Sequence, residues 1–320
     1  MRSVLTILIC FSVSTAFYAQ TQTRIFSIQP EPGDLFTHAG SNYLFKLFFQ
    51  PLGWYYGHVQ YHGIVGINAR YPRSGNGSVY FETPTGLGKS DIEYRHDIVG
   101  SPPYWGRLGD LEWLSYEYYR DAQSTAPSHL HVPIRIYVGN WVNGRIVDPG
   151  YLIYEHSVNF GVVPIPTDMW IQEEVVASNR RVWQNPINQG NFFDAQPFSV
   201  WKSPEGYQPR EGSRIGVHWN ADSVVYGISL GAGTGWSGRF VGAIDNVVIR
   251  FRNGVEYHFN FEARLAGDVN ADGAVDDADL LEILLRFGSS CAGCAWDING
   301  DRAIDDGDLL IVLMNFGRGL

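Results

Sequence analysis

The sequence predicts a mainly β protein, an antiparallel β-sandwich of jelly-roll type followed by a small α-helical module. Three observations lead to this fold class. Aromatic residues make up 14% of the 320 residues, and 36 Gly and 16 Pro accompany them, a composition typical of strands joined by turns. Short segments alternate apolar and polar side chains along most of the chain. Near the C-terminus the alternation ends, and one acidic-then-apolar unit occurs twice.

Strand-like alternation dominates residues 21–265. The segment 132–138 (VPIRIYV) places its four aliphatic residues on one face and Arg135 and Tyr137 on the other. The segment 255–262 (VEYHFNFE) alternates in the same way, as do SVYFET, LSYEYY, GYLIYE and AIDNVVIRF. No long amphipathic helix is indicated before residue 279. Many half-buried strands with irregular turns predict two antiparallel sheets packed face to face.

The first twenty residues have the pattern of a cleaved secretory signal. Arg2 is followed by an apolar run too short to span a bilayer, and then by small residues. We expect cleavage between Ala16 and Gln20, and a secreted or cell-surface protein. No later stretch is apolar enough for a transmembrane helix. The predicted organisation is a signal peptide (1–20), a β-sandwich (21–265) and a C-terminal module (266–320).

The negative charge is concentrated in one region. The formal net charge is −10, and residues 268–308 contain eleven Asp and Glu but only two Arg. The rest of the chain is therefore near neutral, and it carries no basic patch. Nucleic acid is a poor candidate for a partner, because proteins that bind it show a basic footprint.

The C-terminal region contains a duplicated unit. Residues 268–288 (DVNADGAVDDADLLEILLRFG) and 297–317 (DINGDRAIDDGDLLIVLMNFG) align at an offset of 29 residues, with 12 of 21 positions identical. Such self-similarity indicates a repeated supersecondary unit. Each copy begins with an acidic loop and continues into an apolar segment.

The acidic loops have the spacing of calcium-binding loops. Oxygen-bearing side chains stand at loop positions 1, 3, 5, 9 and 12, and the position-7 carbonyl adds a further ligand for a hard cation that collects six to eight oxygens. Gly273 provides the glycine expected at position 6. Arg302 stands there in the second copy and must adopt a positive φ at a cost of about 1 kcal/mol, so we expect a weaker second site. The predicted ligands of two Ca²⁺ ions are Asp268, Asn270, Asp272, Ala274, Asp276 and Asp279 in the first loop and Asp297, Asn299, Asp301, Ala303, Asp305 and Asp308 in the second.

An apolar stripe follows each loop at positions i, i+3, i+4 and i+7, which is one face of a short helix. The two stripes are Leu280, Ile283, Leu284 and Phe287, and Leu309, Val312, Leu313 and Phe316. We expect the two helices to pack face to face. The apolar residues at position 8, Val275 and Ile304, are expected to join the two loops through a short backbone bridge.

The duplicated loop and helix, with Asp instead of Glu at position 12, resembles a dockerin module over residues 268–317. The resemblance implies an EF-hand-like module that folds around two Ca²⁺ ions and docks onto a cohesin domain of a scaffold protein. Positions 10 and 11, where cellulosomal dockerins usually carry a Ser/Thr-type pair, read Asp277-Ala278 and Asp306-Gly307. The partner of the tail is therefore expected to be either a cohesin-like protein or another surface protein.

The sandwich region is similar, more broadly, to exported bacterial β-sandwiches of the concanavalin A-like and carbohydrate-binding jelly-roll type. These folds often close with a strand of the "IDNV" kind, which occurs here at residues 244–247. This similarity implies the fold more than an activity.

Two cysteines, Cys291 and Cys294, remain after removal of the signal segment. A CxxC pair can be a redox centre, half of a zinc site or a disulfide. This pair follows a predicted helix end rather than a strand, and no His lies beyond His258 to complete a zinc site. In an exported protein these facts favour a disulfide.

Aromatic residues in Gly- and Pro-rich segments are candidates for stacking on sugar rings. They include Trp54, Trp105 and Trp236, and the alternative for each is a loop anchor buried in the core. His129 and His131 form an HxH pair, but no third metal ligand with supporting spacing is visible. Tyr55, Tyr56 and Tyr104 in the same segments are further aromatic candidates, and the possible ligand-stacking residues are Trp54, Trp105 and Trp236.

No catalytic constellation is identified. Glycoside hydrolysis needs two facing carboxylates, and the segment 91–97 (DIEYRHD) places Asp91, Glu93, Arg95 and Asp97 on one strand face. Arg95 stands where a carboxylate would be expected, so the polar outer face of an ordinary strand is favoured. Three functions remain open. The sandwich binds a glycan or surface material while the tail attaches it, the chain is a glycoside hydrolase of polysaccharide breakdown, or it is structural in an extracellular layer.

Overall fold

The computed structural model describes residues 22–26, 35–47, 54–187, 194–208, 216–233, 235–291 and 294–319. Within these ranges the chain consists mainly of β-strands, and its helices are short. The predicted signal peptide, residues 1–20, lies outside the described residues, so the signal and its cleavage stay predictions. No helix in the described ranges is long and apolar enough to cross a membrane.

Seventeen strands and five helices follow one another along the described residues. In chain order they are β1 (Gln22–Phe26), β2 (Phe36–His38), β3 (Leu44–Leu47), β4 (Trp54–Gln60), β5 (Gly63–Asn68), β6 (Ser78–Thr83), β7 (Lys89–Arg95), α1 (His96–Val99), β8 (Gly106–Arg107), β9 (Leu111–Arg120), β10 (Ile134–Val142), β11 (Arg145–Tyr154), α2 (His156–Phe160), β12 (Trp170–Glu174), β13 (Arg181–Pro186), β14 (Gln196–Pro197), α3 (Phe198–Trp201), β15 (Val224–Ala232), β16 (Phe240–Phe251), β17 (Glu256–Glu262), α4 (Asp277–Arg286) and α5 (Asp306–Asn315).

The strands form two sheets of eight and nine strands in the part of the chain that the structure describes. The eight-stranded sheet has the order β1-β17-β16-β6-β5-β2, with β9 also against β16 and β12 against β9. The nine-stranded sheet has the order β14-β13-β11-β10-β15-β7-β4-β3, with β8 against β15. The described pairs are antiparallel except that of β1 with β17, which is parallel.

The two sheets enclose one hydrophobic core, because each strand turns alternate side chains toward the opposite sheet. The alternation predicted for 132–138 and 255–262 is confirmed. Its apolar residues either belong to the core or pack against it: Val132, Ile134, Ile136, Val138, Val255, Tyr257, Phe259 and Phe261. The predicted β-sandwich is therefore the fold of this region.

The remaining side chains of the nine-stranded sheet point away from the core, on what we call the outer face. The strand register aligns four of them in one row across neighbouring strands: Tyr55 on β4, Glu93 on β7, Ser229 on β15 and Arg135 on β10. This row is the centre of the site described below.

The C-terminal repeat has a small core of its own. Its buried members come in equivalent pairs from the two copies: Val269 and Ile298, Val275 and Ile304, and Ile283 and Val312. The core of the sandwich draws on residues 54–261, whereas that of the repeat draws on residues 269–312. The position of the boundary near residue 265 stays a prediction.

The helices of the repeat bury a narrower stripe than the sequence predicts. Ile283 and Val312 are buried, and Leu280 and Leu309 pack against them. Leu284, Phe287, Leu313 and Phe316, which were also expected inside, are each about half exposed. A two-helix module with short loops has too small an interior to cover a four-residue stripe on both helices.

The expected bridge between positions 8 of the two loops is wrong. The N–H of Val275 donates to the carbonyl of Arg318 at 2.6 Å, and the N–H of Gly317 donates back to Val275 at 2.8 Å. In the same way Ile304 exchanges hydrogen bonds with Ser289 and Gly288, at 2.9 and 2.8 Å. Each loop therefore pairs with the segment that follows the helix of the other copy.

Candidate functional site

The first acidic loop gathers three carboxylates at one point. One oxygen from each of Asp268, Asp272 and Asp279 lies within 4.8 Å of the other two. Asp268 and Asp279 are buried, whereas Asp272 is exposed. Three of the six predicted ligands of this loop therefore converge, and the metal-binding part of Asn270, Ala274 and Asp276 stays a prediction.

Asp279 ties the two ends of the first loop together. Its Oδ1 accepts the N–H groups of Val269 at 2.8 Å and Asn270 at 3.1 Å, and its Oδ2 accepts that of Asp276 at 3.0 Å. Asp276 in turn caps α4 by accepting the N–H of Ala278 at 2.8 Å. The Asp at position 12 thus completes a capping box, which explains why a short side chain suits this position.

The second loop repeats this arrangement with one difference. Asp308 makes the contacts that Asp279 makes, to the N–H groups of Ile298, Asn299 and Asp305. Asp297 accepts the N–H of Arg302 at 3.1 Å through Oδ2, but its Oδ1 is buried and has no hydrogen-bond partner among the described residues. Leaving a buried carboxylate oxygen unsatisfied is costly, and a bound cation would remove that cost.

Both loops contain a residue with a strained backbone. Arg302 adopts φ +76°, as its position 6 requires, and Gly300 at position 4 has φ +78°. In the first loop the assignment is reversed, with Gly273 at position 6 (φ +91°) and Ala271 at position 4 (φ +60°). Each loop therefore holds one non-glycine residue at positive φ. The weaker second site does not follow from Arg302 alone and stays a prediction.

The loop carboxylates form no ion pair with Lys or Arg among the described residues of the repeat. Arg264 is buried beside the first loop, but it donates to the backbone carbonyls of Asp268 (2.7 Å) and Val269 (2.9 Å). Burial raises the pKa of Asp268 to about 6, because the charged form is poorly solvated there. The donor set consists of oxygens, and it fits a hard divalent cation.

The predicted disulfide is present between Cys291 and Cys294. Both residues pack against the small core of the repeat, together with Trp296. The Trp296 ring lies 3.8 Å from the guanidinium of Arg286, and its indole N–H donates to Glu282 at 3.2 Å. The connection between the copies is thereby attached to α4.

The outer face of the sandwich carries a second polar cluster, centred on Glu93. Its Oε2 accepts the hydroxyl groups of Tyr55 and Tyr137, the latter at 2.5 Å, and its Oε1 accepts that of Ser229 at 3.2 Å. Tyr137 also accepts the hydroxyl of Tyr151 at 2.9 Å. Glu93 is 0% exposed, so these hydroxyl groups take the place of water around the carboxylate.

Asp91 lies beside Glu93 and is held by two cations. Arg135 is 3.2 Å and Lys89 is 3.4 Å from its carboxylate oxygens. Burial alone would raise the pKa of Asp91, but the charges of Arg135 and Lys89 keep it below its ordinary value. Gly231 stands opposite Asp91, and a Cβ there would lie 1.6 Å from Asp91 Oδ1, so only glycine leaves room for this carboxylate.

Arg95 extends the cluster along β7. Two of its nitrogens donate to Asp97 at 2.7 and 2.6 Å. Its guanidinium lies over the rings of Tyr137 and Tyr226, 4.8 and 5.4 Å from their centroids. The Arg95–Asp97 ion pair therefore lies against the faces of two aromatic rings, which attract the positive charge of the guanidinium.

This cluster is poorly suited to hydrolysis by a carboxylate pair. Oxygens of Asp91 and Glu93 lie within 4.8 Å of each other and of a His58 ring nitrogen. A glycosidase needs both carboxylates to face the substrate. Asp91 and Glu93 are 1% and 0% exposed, and Arg135, Lys89 and the tyrosine hydroxyl groups surround them. Because Arg135 and Lys89 neutralise the charge of Asp91, the cluster of His58, Asp91 and Glu93 is also a weak candidate for a metal centre.

The sequence interpretation of residues 91–97 was partly wrong. Asp91, Glu93 and Arg95 do lie on the outer face, but the two carboxylates are buried in a network instead of facing solvent. The partners of Glu93 are 38 to 136 residues away along the chain. The alternating acids were a usable signal, whereas Tyr55, Tyr137, Tyr151 and Arg135 could not be connected to them without the strand register.

Comparisons with known proteins add similarity of fold. No protein-family model matches the chain, and no curated protein is similar to it. Several solved structures are similar at low identity, and two of them are described here. One is a family 11 carbohydrate-binding module from Clostridium thermocellum in complex with a β-1,3-1,4-mixed-linked tetrasaccharide (14% identity, 68% of this chain and 97% of that chain, TM-score 0.30). The other is CBM28, a carbohydrate-binding module specific for non-crystalline cellulose (12% identity, 71% and 97%, TM-score 0.30). These likenesses are too distant to carry an argument, and the fold rests on the two sheets described above.

Two of the three predicted stacking tryptophans are in the core. Trp54 belongs to β4 and packs against Tyr94 and Phe259, and it is 1% exposed. Trp105 is 3% exposed and stacks on Tyr94. The prediction that they present a ring to a ligand is wrong, because Trp54 on β4 and Trp105, directly before β8, both belong to the hydrophobic core. Trp236 is half-buried, so part of its indole ring can still contact a ligand.

The HxH pair does not form a metal site. His131 lies in the core, stacked on Tyr118 at 4.5 Å between ring centroids. Its Nε2 accepts the backbone N–H of His156 at 3.0 Å, and its Nδ1 lies 2.8 Å from the carbonyl of Val132. Both ring nitrogens are therefore engaged within the protein.

Proposed function

We propose that the chain is a secreted, calcium-binding protein of two modules, in which the sandwich binds a glycan and the dockerin-like repeat attaches it to a partner. The observation that carries the calcium proposal is the convergence of Asp268, Asp272 and Asp279, whose oxygens lie within 4.8 Å of one another. The partnerless buried Oδ1 of Asp297 supports an ion in the second loop as well. Oxygen ligands favour Ca²⁺ over zinc or copper, which prefer nitrogen and sulfur.

Titration of metal-free full-length protein with CaCl₂ in a calorimeter tests this proposal. Two ions should bind per chain. Asp279→Asn and Asp308→Asn should each remove one binding event, because each substitution removes the position-12 carboxylate of one loop. Asp277→Asn is the matched control, since this neighbouring acid is exposed and stands at a position outside the ligand spacing. Unchanged binding by both position-12 variants would contradict the proposal.

Glycan binding by the sandwich is supported by the outer face. The half-buried ring of Tyr151 can stack on a sugar ring there. Tyr151 is half-buried and its hydroxyl continues the network through Tyr137 to Glu93. A ligand that contacts Tyr151 would thus be coupled to the whole cluster.

Affinity electrophoresis of the full-length protein through soluble β-glucan, xylan and mannan tests glycan binding. Tyr151→Ala should weaken binding about tenfold, which corresponds to about 1.4 kcal/mol. Tyr119→Ala is the matched control, because Tyr119 is a half-buried tyrosine of β9 in the eight-stranded sheet. Release of new reducing ends during the assay would favour the glycoside hydrolase instead, and absence of any binding would favour the structural role.

Attachment through the tail is supported by an apolar surface on α4 and α5. Equivalent positions of the two helices are exposed: Leu281 and Leu310 at 55% each, and Leu285 and Met314 at 71% and 74%. Large apolar side chains exposed at equivalent positions of both helices are a candidate protein interface. A cohesin-like protein is the partner that the dockerin resemblance implies. Co-migration of the full-length protein with a purified cohesin in Ca²⁺, lost for Leu285→Glu with Met314→Glu, is the expected result.

A further inference from the structure

The disulfide lies beside the second acidic loop. Cys291 belongs to the segment that pairs with this loop, and its N–H donates to the carbonyl of Arg302 at 3.0 Å. Cys294 lies three residues before Asp297, the first predicted ligand of the loop. The bond between the two sulfurs therefore joins the segment that pairs with the second loop to the start of that loop.

The first acidic loop has no covalent connection of this kind. The residues that pair with it are Gly317, which donates to Val275 at 2.8 Å, and Arg318, which accepts from Val275 at 2.6 Å. The only cysteine outside the CxxC pair, Cys10, lies in the predicted signal peptide. The two copies are alike in sequence, but only the second loop is fastened by a disulfide.

The start of the second loop also differs in its hydrogen bonds. Asp297 is buried, and its Oδ1 has no hydrogen-bond partner among the described residues. In the first loop, the Oδ1 of Asp268 accepts the N–H of Asp272 at 3.2 Å. The loop itself therefore positions Asp297 with fewer contacts than Asp268, and the adjoining backbone contributes more to its position.

A crosslink at this place affects the affinity of the loop for an ion. A disulfide restricts the chain before the ion binds, so that less conformational entropy is lost when the loop becomes ordered around the ion. For a ring that spans four residues, this restriction corresponds to a factor of about ten in the binding constant. The factor applies to the second loop, because the residues that pair with the first loop lie outside the ring.

We propose that the Cys291–Cys294 disulfide is a redox switch for the second calcium site. The oxidised protein binds two Ca²⁺ ions, whereas the reduced protein keeps the first ion and binds the second about tenfold more weakly. The inference rests on the proposed calcium binding, and it adds the regulation of one of the two sites.

The switch also acts on the proposed interface of the tail. Asp308 ends the second loop and completes the capping box at the start of α5. The same helix carries the exposed side chains of Leu310 and Met314. Loss of the second ion therefore loosens the part of the interface that α5 presents, so that attachment through the tail is favoured in an oxidising environment.

A dithiol is the reductant that operates the switch. One of its thiolates attacks a sulfur of the disulfide, the S–S bond breaks, and one cysteine leaves as a thiolate while the other forms a mixed disulfide. The second thiolate of the dithiol then attacks this mixed disulfide and releases the other cysteine. Cys291 and Cys294 together gain two electrons and two protons, and the dithiol loses the same as it becomes a disulfide.

Calcium calorimetry of the full-length protein, with and without dithiothreitol, tests the inference. All samples carry Cys10→Ser, so that Cys291 and Cys294 are the only cysteines. Asp279→Asn isolates the second site, and Asp308→Asn isolates the first. Dithiothreitol should weaken binding of CaCl₂ about tenfold in the Asp279→Asn protein and leave it unchanged in the Asp308→Asn protein. Reoxidation should restore the original affinity.

A second measurement uses the original pair of sites and needs no altered loop. Because linkage is reciprocal, saturating Ca²⁺ should make the disulfide about tenfold harder to reduce at equilibrium with dithiothreitol. Alkylation of the free thiols followed by mass spectrometry measures this equilibrium. Cys291→Ser with Cys294→Ser, added to Asp279→Asn, is the matched control: it should bind Ca²⁺ like the reduced protein and should not respond to dithiothreitol.

Three results would count against the proposal. Equal calcium affinity of the oxidised and reduced Asp279→Asn protein, with a reduction equilibrium that ignores Ca²⁺, would overturn the switch and leave calcium binding intact. Weakening of both sites by the same factor would also overturn it, because the disulfide would then stabilise the whole repeat. Absence of any calcium binding by the oxidised protein would instead overturn the proposed function on which the inference rests.

Discussion

Two clusters of carboxylates in this protein solve the same electrostatic problem in different ways. Asp91 and Glu93 on the outer face, and Asp268, Asp272 and Asp279 in the first loop, each bring acidic oxygens within 4.8 Å of one another. The outer-face cluster contains its own neutralising groups, Arg135, Lys89 and the tyrosine hydroxyls. The loop offers its carboxylates mainly backbone N–H groups. The first cluster carries its own counter-charges, whereas the second is proposed to take its counter-charge from Ca²⁺.

A third setting sharpens the comparison. Asp245 on β16 is buried, and its oxygens accept the N–H groups of Phe261 at 2.9 Å and Ser74 at 3.0 Å. Burial raises its pKa to about 7, and nearby Glu262 acts in the same direction. At Asp245 a bound proton neutralises the carboxylate, as Arg135 does at Asp91 and as Ca²⁺ is proposed to do in the loops.

Removal of calcium should have the largest effect, and it should be confined to one cluster. EGTA is expected to unfold residues 268–317 while the sandwich keeps its near-ultraviolet circular dichroism. At free Ca²⁺ roughly 1,000 times the dissociation constant, each ion contributes about 4 kcal/mol to the stability of the repeat. Hydrogen exchange of the full-length protein, with and without EGTA, measures both regions at once. Equal hydrogen-exchange protection of the repeat with and without EGTA would show that the loops need no cation, and the contrast with the outer-face cluster would fail.

Removal of a cation that neutralises Asp91 on the outer face should have the second-largest effect. Arg135→Leu leaves Asp91 buried with Lys89 alone, and removal of one partner from a buried pair typically costs about 3–5 kcal/mol. The measurement is the urea unfolding of the sandwich in excess Ca²⁺. Arg107→Leu removes one partner of an exposed pair with Asp222 and should cost no more than about 1 kcal/mol. Equal losses in the two variants would show that burial of Asp91 carries no special cost.

The pH dependence of stability should report Asp245. Its pKa in the folded state is raised from 3.8 to about 7, so its contribution is present in full below about pH 4 and is lost as pH rises through 7. The shift of about three pH units corresponds to at most about 4 kcal/mol. Asp245→Asn removes the titration. The stability of the variant relative to the original protein should therefore increase between pH 4 and pH 8, whatever the constant offset from its altered hydrogen bonds. A flat difference across this range would contradict the assigned shift.

The smallest effects should come from the strained backbone of the loops. Ala271→Gly and Arg302→Gly each relieve a non-glycine residue at positive φ, at φ +60° and +76° respectively. Each should stabilise its calcium-bound loop by up to about 1 kcal/mol, less the greater freedom that glycine gives the unfolded chain. Calcium calorimetry of the two variants should give similar gains. A gain in the Arg302 variant alone would restore the idea of an intrinsically weaker second loop.

Part of the repeat could be predicted because that part depends on local spacing. The convergence of Asp268, Asp272 and Asp279 and the burial of Ile283 and Val312 follow from the spacing within each 21-residue copy. The exposed half of each helix stripe and the backbone pairing of Val275 and Ile304 could not be predicted, because both depend on how the two copies pack. The sandwich core could be predicted for the same reason, since alternation along one strand assigns a face. The burial of Trp54 could not be predicted in this way, because its flanking glycines indicated a turn. The outer-face site escaped it because Tyr55, Glu93 and Arg135 meet only after four strands are placed in register.

The crossed pairing in the repeat has a consequence for the end of the chain. Val275 of the first loop is held by Gly317 and Arg318, which lie 42 and 43 residues further along. A protease cut after Phe316 would spare all twelve predicted ligands, yet it would release the first loop, which is far from the cut in sequence. Gly317 and Arg318 thus hold the first acidic loop in place, and a cut before them would change the environment of Val275 before that of the second loop.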